Sequence, residues 1–213
     1  MDIQTRSHRF ASSRAAILAT SRDVFLAHGY VDASMDTIAQ RSGVSKTTLY
    51  AHFACKEALF HQIVSDLFDE HAGDAAALLD PVSAEAPAPL RSRLVAIGSR
   101  MLETLLHPDF VALMRLCIAE GPRLPRIGET AVPALRTRMV QLLTGFFRER
   151  AQAGDLAVAD PEQAADSFIV LTVRDYPLLA LLPGGISDAV RESMQRNVER
   201  VADQMLRLYA PAP

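Results

Sequence analysis

Apolar residues recur along this chain at three- and four-residue steps, and no run alternates with the period of two that marks a half-buried strand, so the pattern predicts an all-α fold. Ile17, Leu18, Val24 and Phe25 form the inner face of a first helix, which starts after Ser12 or Ser13. It stops at Gly29, a residue suited to the left-handed turn at a helix end. Ser34 then caps a short helix, MDTIAQRS, with Asp36 in the first turn, where a negative charge is favoured, and Gly43 ends it. Ser45 caps a third helix, KTTLYAHF, and a long fourth helix runs from about Lys56 to Leu79. The segment DPVSAEAPAPL, with three prolines, interrupts the helical pattern and is a candidate domain boundary. Beyond it the pattern predicts helices near 89–106, 109–120, 128–153, 161–182 and 187–209, joined by short turns.

In the last helix, Val190, Met194, Asn197, Val201, Met205 and Leu208 lie on one stripe with Arg and Glu between them. That stripe predicts a dimer seam through Val190, Met194, Val201, Met205 and Leu208. The helix before it, PEQAADSFIVLTVRDYPLLALL, is apolar on nearly all sides, which suits burial against its own domain on one face and a partner on the other. Pro177 should kink it. Two such helices and their symmetry mates would build a four-helix homodimer interface, although the same stripes would also complete a monomer's core.

At 213 residues, 49% of them apolar, the chain is long enough for a small domain joined to a larger one. A net charge of −3 argues against a general polyanion binder. Residues 1–60 nevertheless hold seven Lys or Arg against five Asp or Glu, while the remainder holds fifteen against twenty, so any nucleic-acid surface is a local patch. Cys55 and Cys117 match no metal-ligand spacing or disulfide framework and fit a reducing, cytoplasmic setting. The opening MDIQTRSHRFASSR lacks the apolar run of a signal peptide. No later stretch offers the roughly 18 apolar residues that span a bilayer, so no membrane partner is expected.

Both lysines of the chain fall in SGVSKTTLYAHFACKEALF. At about 100° per residue, Leu49 and Phe53 lie on one side of its helix and Thr47, Thr48, Ala51 and His52 on the other, with Tyr50 at the edge. A short helix with an inward apolar side, preceded by a capped helix and a glycine turn, is a helix-turn-helix arrangement whose second helix enters a major groove. Thr hydroxyls bond phosphates or base edges there, Ala51 meets a thymine methyl, and Tyr50 and His52 reach the backbone. Lys46 opens this helix. Lys56 opens the next, where its ammonium is read as a phosphate contact.

The stretch SMDTIAQRSGVSKTTLYAHFACKEALF resembles the DNA-binding domain of TetR-family transcriptional regulators, and AAILATSRDVFLAHGY resembles their first helix. The resemblance implies a DNA-binding domain at 1–56, with the helix-turn-helix at about 34–53. It carries DNA contacts to Lys46, Thr47, Thr48, Tyr50, His52 and Lys56. LMRLCIAEGPRLPRIGE and FRERAQAGDLAVADPEQAADSFI are similar to the AefR-like type of C-terminal domain, which implies a regulatory and dimerisation domain at 57–213. The implied partners are a double-stranded DNA operator, a second copy of the chain and a small-molecule effector that releases a repressor. Cys55 departs from the Ser, Asn or Gly common in the family before the lysine, and is a poorer helix cap.

For the effector, Met101, Leu105, Phe110, Met114, Cys117, Phe146, Phe147 and Phe168 are candidate lining for an apolar or aromatic guest, and equally the make-up of a packed core. Arg174 and Asp175, inside an apolar helix, pair with each other, reach solvent at the kink, or orient a ligand. Catalysis finds little support. His52, Cys55 and His61 lack a fourth metal ligand, Cys117 with His107 is a bare nucleophile and base, and no phosphate-cradling glycine loop appears. No metal or cofactor is expected. Two alternatives stay open: redox sensing through the Cys55 thiol beside Lys56, and a helical ligand-binding protein without DNA binding.

Overall fold

The structure, a computed structural model, describes residues 3–79 and 88–211. Among the described residues every regular element is a helix. In chain order they are α1 (Ile3–Asp32), α2 (Met35–Ser42), α3 (Lys46–His52), α4 (Lys56–Leu79) and α5 (Leu90–Leu105), then α6 (Pro108–Glu120), α7 (Pro125–Gln152), α8 (Pro161–Val173), α9 (Tyr176–Leu181) and α10 (Asp188–Leu208). The proline-rich break at DPVSAEAPAPL falls mostly on residues 80–87, outside the described residues. The chain divides into two compact units, one of Met1–Phe68 with Ala112–Ala131, the other of Asp69–Val111 with Val132–Pro213. The division runs through α4, α6 and α7, each of which contributes residues to both units.

In the first unit, Ile17, Val24 and Phe25 of α1 close over Ile38 of α2, Leu49 of α3 and Leu59 and Phe60 of α4, all nearly or fully buried. The helix ends are fixed locally. Ser34 and Ser45 each accept the amide of the residue three positions on, Thr37 at 3.0 Å and Thr48 at 3.1 Å, satisfying one of the free donors of a first turn. Gly43 (φ 71°, ψ 18°) ends α2 with its own amide on Gln40 O and that of Val44 on Ala39 O, the paired bonds of a Schellman turn. Gly29 (φ 75°, ψ 175°) sits in a region that only glycine enters readily, so the regular course of α1 breaks where the sequence predicts a stop. The start differs: α1 begins at Ile3, not after Ser12.

The core of the second unit gathers Leu94, Ile97 and Met101 of α5, Phe146 and Phe147 of α7, Phe168 of α8, and Val201 and Met205 of α10. The α10 stripe, read from the sequence as a dimer seam, lies mostly inside its own unit. Met194, Asn197, Val201 and Met205 are buried within one chain, Val190 is half-buried and only Leu208 is exposed. The stripe is real, but it faces α5 and α8 of its own unit. The predicted helix 161–182 is broken rather than kinked. Arg174 (φ 49°, ψ −134°) and Asp175 (φ −97°, ψ 4°) have the dihedrals of a type II′ turn between α8 and α9. Pro177 cannot donate to the carbonyl four residues back, which removes one reason to continue α8. Buried Asn197 serves the freed carbonyls, its Nδ2 donating to Leu171 O at 2.9 Å and Thr172 O at 3.4 Å, while Arg200 Nη2 donates to its Oδ1 at 2.7 Å.

Candidate nucleic-acid interface

The turn at Gly43 sets α3 after α2, with Leu49 fully buried and Phe53 5% exposed on its inner side. Lys46, Thr47, Tyr50 and Ala51, spaced by steps of three and four, form the exposed stripe opposite. Tyr50 is 49% exposed, which for a large ring on a seven-residue helix marks a surface kept for a partner. Lys46 Nζ lies 2.7 Å from Asp36 Oδ2, both side chains 64% exposed. An exposed pair of this kind is worth under about 1 kcal/mol and yields readily to a phosphate. Thr47 stands exposed on the outer side. The Thr48 hydroxyl lies 2.8 Å from Ser45 Oγ and belongs to the helix cap.

His52 ends α3, and its ring lies 3.8 Å, centroid to centroid, from Phe10 of α1. Its Nε2 is buried without a hydrogen-bond partner. Burial, and secondarily the Arg14 guanidinium, hold its pKa below the usual imidazole value, which favours the neutral ring. Lys56, read from the sequence as a phosphate contact, turns its ammonium toward the backbone of its own unit. Its ammonium donates to Tyr30 O at 2.7 Å, Val31 O at 3.1 Å and Ala33 O at 2.8 Å, and lies 4.5 Å from the Tyr30 ring centroid. An ammonium has three N–H donors, and all three are engaged by the carbonyls at the end of α1. In this geometry Lys56 clamps the backbone at the end of α1. Tyr30 stacks on Phe25 in turn, and burial raises its pKa, helped by the charge of Glu57. The side chains that sequence reasoning missed are Phe10 and Arg14, whose i, i+4 spacing is the one local signal that pointed to them, and the pairing of Asp36 with Lys46 was also unforeseen.

The candidate effector residues separate. Phe146, Phe147 and Phe168 meet edge to face in the second unit, with centroids 5.5 and 6.2 Å apart. Met101, Leu105 and Phe110 also belong to that unit, whereas Met114 and Cys117 lie on the part of α6 that belongs to the first. Cys117 is buried, and burial pushes its thiol up to about 11. Arg174 is exposed at the α8 to α9 turn, with its guanidinium 5.8 Å from the Tyr176 ring, and makes no ion pair with Asp175. Cys55 is exposed at the cap position of α4, where its carbonyl accepts from Leu59. Among the described residues no cluster of His, Cys, Asp or Glu is arranged to hold a metal ion, and no helix is long and apolar enough to cross a membrane.

Comparison with known proteins agrees with this geometry. Residues 17–63 match the model of bacterial regulatory proteins of the tetR family, and residues 92–211 match the AefR-like transcriptional repressor C-terminal domain. The HTH-type transcriptional regulator UidR of Escherichia coli K12 is 40% identical over 170 residues, covering 79% of this chain and 80% of UidR. The HTH-type transcriptional activator FasR of Mycolicibacterium smegmatis is 47% identical over 47 residues, and that match spans only 22% of either chain. Among solved structures, a TetR-family regulator from Mesorhizobium loti superposes with a TM-score of 0.82 at 24% identity, covering 94% of this chain and 98% of its own. The flavonoid-responsive regulator FrrA gives 0.67 at 27% identity, covering 94% and 98%. A capped helix pair with an exposed second helix, joined to an AefR-like helical domain, makes this chain a DNA-binding transcriptional regulator of the TetR family.

Proposed function

We propose that the protein is a homodimeric repressor that leaves its operator when an apolar or aromatic small molecule binds the second unit. The observation that carries the DNA half is the outer stripe of α3, where Lys46, Thr47 and Tyr50 stand exposed while Leu49 and Phe53 anchor the helix from behind. Thr47 and Ala51 read base edges, and Lys46 and Tyr50 hold the phosphate backbone. A seven-residue reading helix covers too little sequence alone, which favours two copies spaced about one duplex turn apart, roughly 34–36 Å. With the α10 stripe buried, the dimer face is assigned to the apolar residues left outside, Val170 of α8 and Leu178 and Leu182 at α9, which are 50% exposed or more. The match to a repressor C-terminal domain supports repression.

For the effector, the aromatic cluster of Phe146, Phe147 and Phe168, with the Arg93 guanidinium 5.1 Å from the Phe146 ring, offers flat faces and one cation. The name of FrrA makes flavonoids the first class to test. A ligand that prefers one spacing of the reading helices over another must change operator affinity, and a typical coupling of about 1–3 kcal/mol corresponds to about 5–150-fold. The test is selection of duplexes from a random-sequence library, followed by operator titration with and without flavonoids. Release accompanied by an equal loss of flavonoid affinity on adding operator supports the reading. A ligand that binds yet leaves operator affinity unchanged refutes induction.

A further inference from the structure

The break between α8 and α9 gathers features that a merely structural turn does not need. Thr172 is fully buried and Tyr176 is 4% exposed, yet the Oγ1 of the first and the phenolic oxygen of the second have no hydrogen-bond partner. A buried hydroxyl left unpaired destabilises the fold, and Val and Phe would fill the same two spaces without that penalty. Between them Arg174 holds φ 49°, the one positive φ of a non-glycine residue among the described residues. Backbone strain of this kind gathers at ligand sites. Buried Asn197 does not answer the hydroxyls, because its Nδ2 donates to Leu171 O and Thr172 O and its Oδ1 accepts from Arg200.

The two hydroxyls adjoin the aromatic cluster. A Cβ at Gly98 of α5 would lie 3.0 Å from Val198 Cγ1, 3.3 Å from Thr172 Cγ2 and 3.5 Å from Phe168 Cζ, so these three side chains meet around one point. The methyl of Thr172 is what faces α5 there, which leaves its hydroxyl turned elsewhere. Phe168 continues into the rings of Phe147 and Phe146, while Val198 packs with Tyr176, Leu102 and Met194. A path of contact therefore runs from the rings through Thr172 and Val198 to Tyr176. Each hydroxyl is both a donor and an acceptor, and a phenolic hydroxyl answers both capacities where a carbonyl answers only the donor. We propose that Thr172 and Tyr176 set the specificity of the effector site, pairing with phenolic hydroxyls of a molecule whose rings lie on the Phe168 cluster. The effector class is then a hydroxylated aromatic, and a bare ring system is discriminated against. This rests on the reading of the aromatic cluster as the effector platform.

The experiment titrates the full chain, without DNA, by calorimetry with unsubstituted flavone and with a set of mono- and polyhydroxyflavones. Thr172→Val, Tyr176→Phe and the double variant are compared with the unaltered chain, each change removing a hydroxyl and keeping the shape. The unaltered chain should prefer its best hydroxyflavone over flavone by about tenfold or more. Each single variant should weaken that compound by about 3–10-fold and change flavone by less than about twofold, and the double variant should lose the preference. Without compound, the variants should be at least as heat-stable as the unaltered chain, because no hydrogen bond is lost. Variants that melt several degrees lower, with flavone and hydroxyflavones weakened alike, overturn the proposal, since the hydroxyls would then serve the fold through ordered water. Compounds that bind with no preference, or with one that the double variant keeps, leave the effector reading standing and remove the two hydroxyls from it. If none of the compounds binds, the effector reading itself fails and the specificity assignment falls with it.

Discussion

Replacing Lys56 by Met removes the ammonium and keeps most of the apolar stem. The three acceptors it leaves, Tyr30 O, Val31 O and Ala33 O, are the carbonyls at the end of α1, and two of these bonds are partly shielded from water. A hydrogen bond to a charged group contributes about 1.5–3 kcal/mol net, so the two shielded bonds at the low end give about 3 kcal/mol, less what water recovers. The cation over the Tyr30 ring adds about 0.5–1 kcal/mol at a site this open. The expected destabilisation is about 2–4 kcal/mol, read from urea unfolding followed by circular dichroism. If the clamp is the whole role of Lys56, the same variant should keep the salt dependence of operator binding. If stability changes by less than about 0.5 kcal/mol while the salt slope drops by about 0.9 per protomer, the clamp is wrong and the ammonium is a DNA ligand.

Asn197→Ala should destabilise the second unit by about 1–3 kcal/mol in thermal unfolding, because two carbonyls at the end of α8 lose their buried donor. Arg174→Gly should stabilise it by about 1 kcal/mol, because the type II′ position at φ 49° suits glycine and strains an L side chain; a drop in stability would show that the Arg174 interaction with Tyr176 matters more. In the native protein one thiol, Cys55, should react with iodoacetamide near pH 8 while Cys117 stays protected. The fold should lose the Cys117 contribution only as pH rises from about 9 towards 11, since the raised pKa stabilises the protonated thiol. Phe10→Ala should raise the His52 pKa by uncovering its ring, seen by proton NMR titration. In the intact protein the contribution of neutral His52 is present above about pH 6.5 and lost as pH falls below it.

Local chemistry was legible throughout the reading head. The two serine caps, the glycine turn at Gly43 and the stop at Gly29 depend on residues within four positions of one another, and each appears where the sequence places it. Lys56 was not legible, because its partners lie 23 to 26 residues away and nothing in KEALF distinguishes an ammonium facing carbonyls from one facing phosphate. Phe10 and His52 are separated further still, and an isolated aromatic in a polar stretch carries no periodicity to reveal its target.

The α10 stripe presents the same problem on a larger scale. An amphipathic helix announces that one face is to be buried, and period alone cannot say whether a neighbour in the same chain or a second chain buries it. Packing decides. Gly98 of α5 lets Val198, Thr172 and Phe168 come so close that a Cβ at that position would lie 3.0, 3.3 and 3.5 Å from them, so α5, α8 and α10 are drawn together inside one unit. Once α10 has committed its apolar side to that packing, its outer face is mostly charged apart from Leu208 near its end, and the other large apolar residues of the second unit that face water, Val170, Leu178 and Leu182, lie on α8 and at α9. Breaking the helix at Arg174 gives α9 a direction of its own, separate from α8, and Leu178 and Leu182 stay outside. The type II′ turn, Asn197 and the proposed dimer face are then parts of one arrangement. A charged residue introduced at Leu178 should dissociate the dimer and abolish operator binding with thermal stability of the monomer intact, while the same charge at Val201 should unfold the second unit, since that side chain is 2% exposed in a single chain. Sedimentation and unfolding of the two variants separate these outcomes, and a Leu178→Arg protein that remains dimeric would remove α9 from the interface.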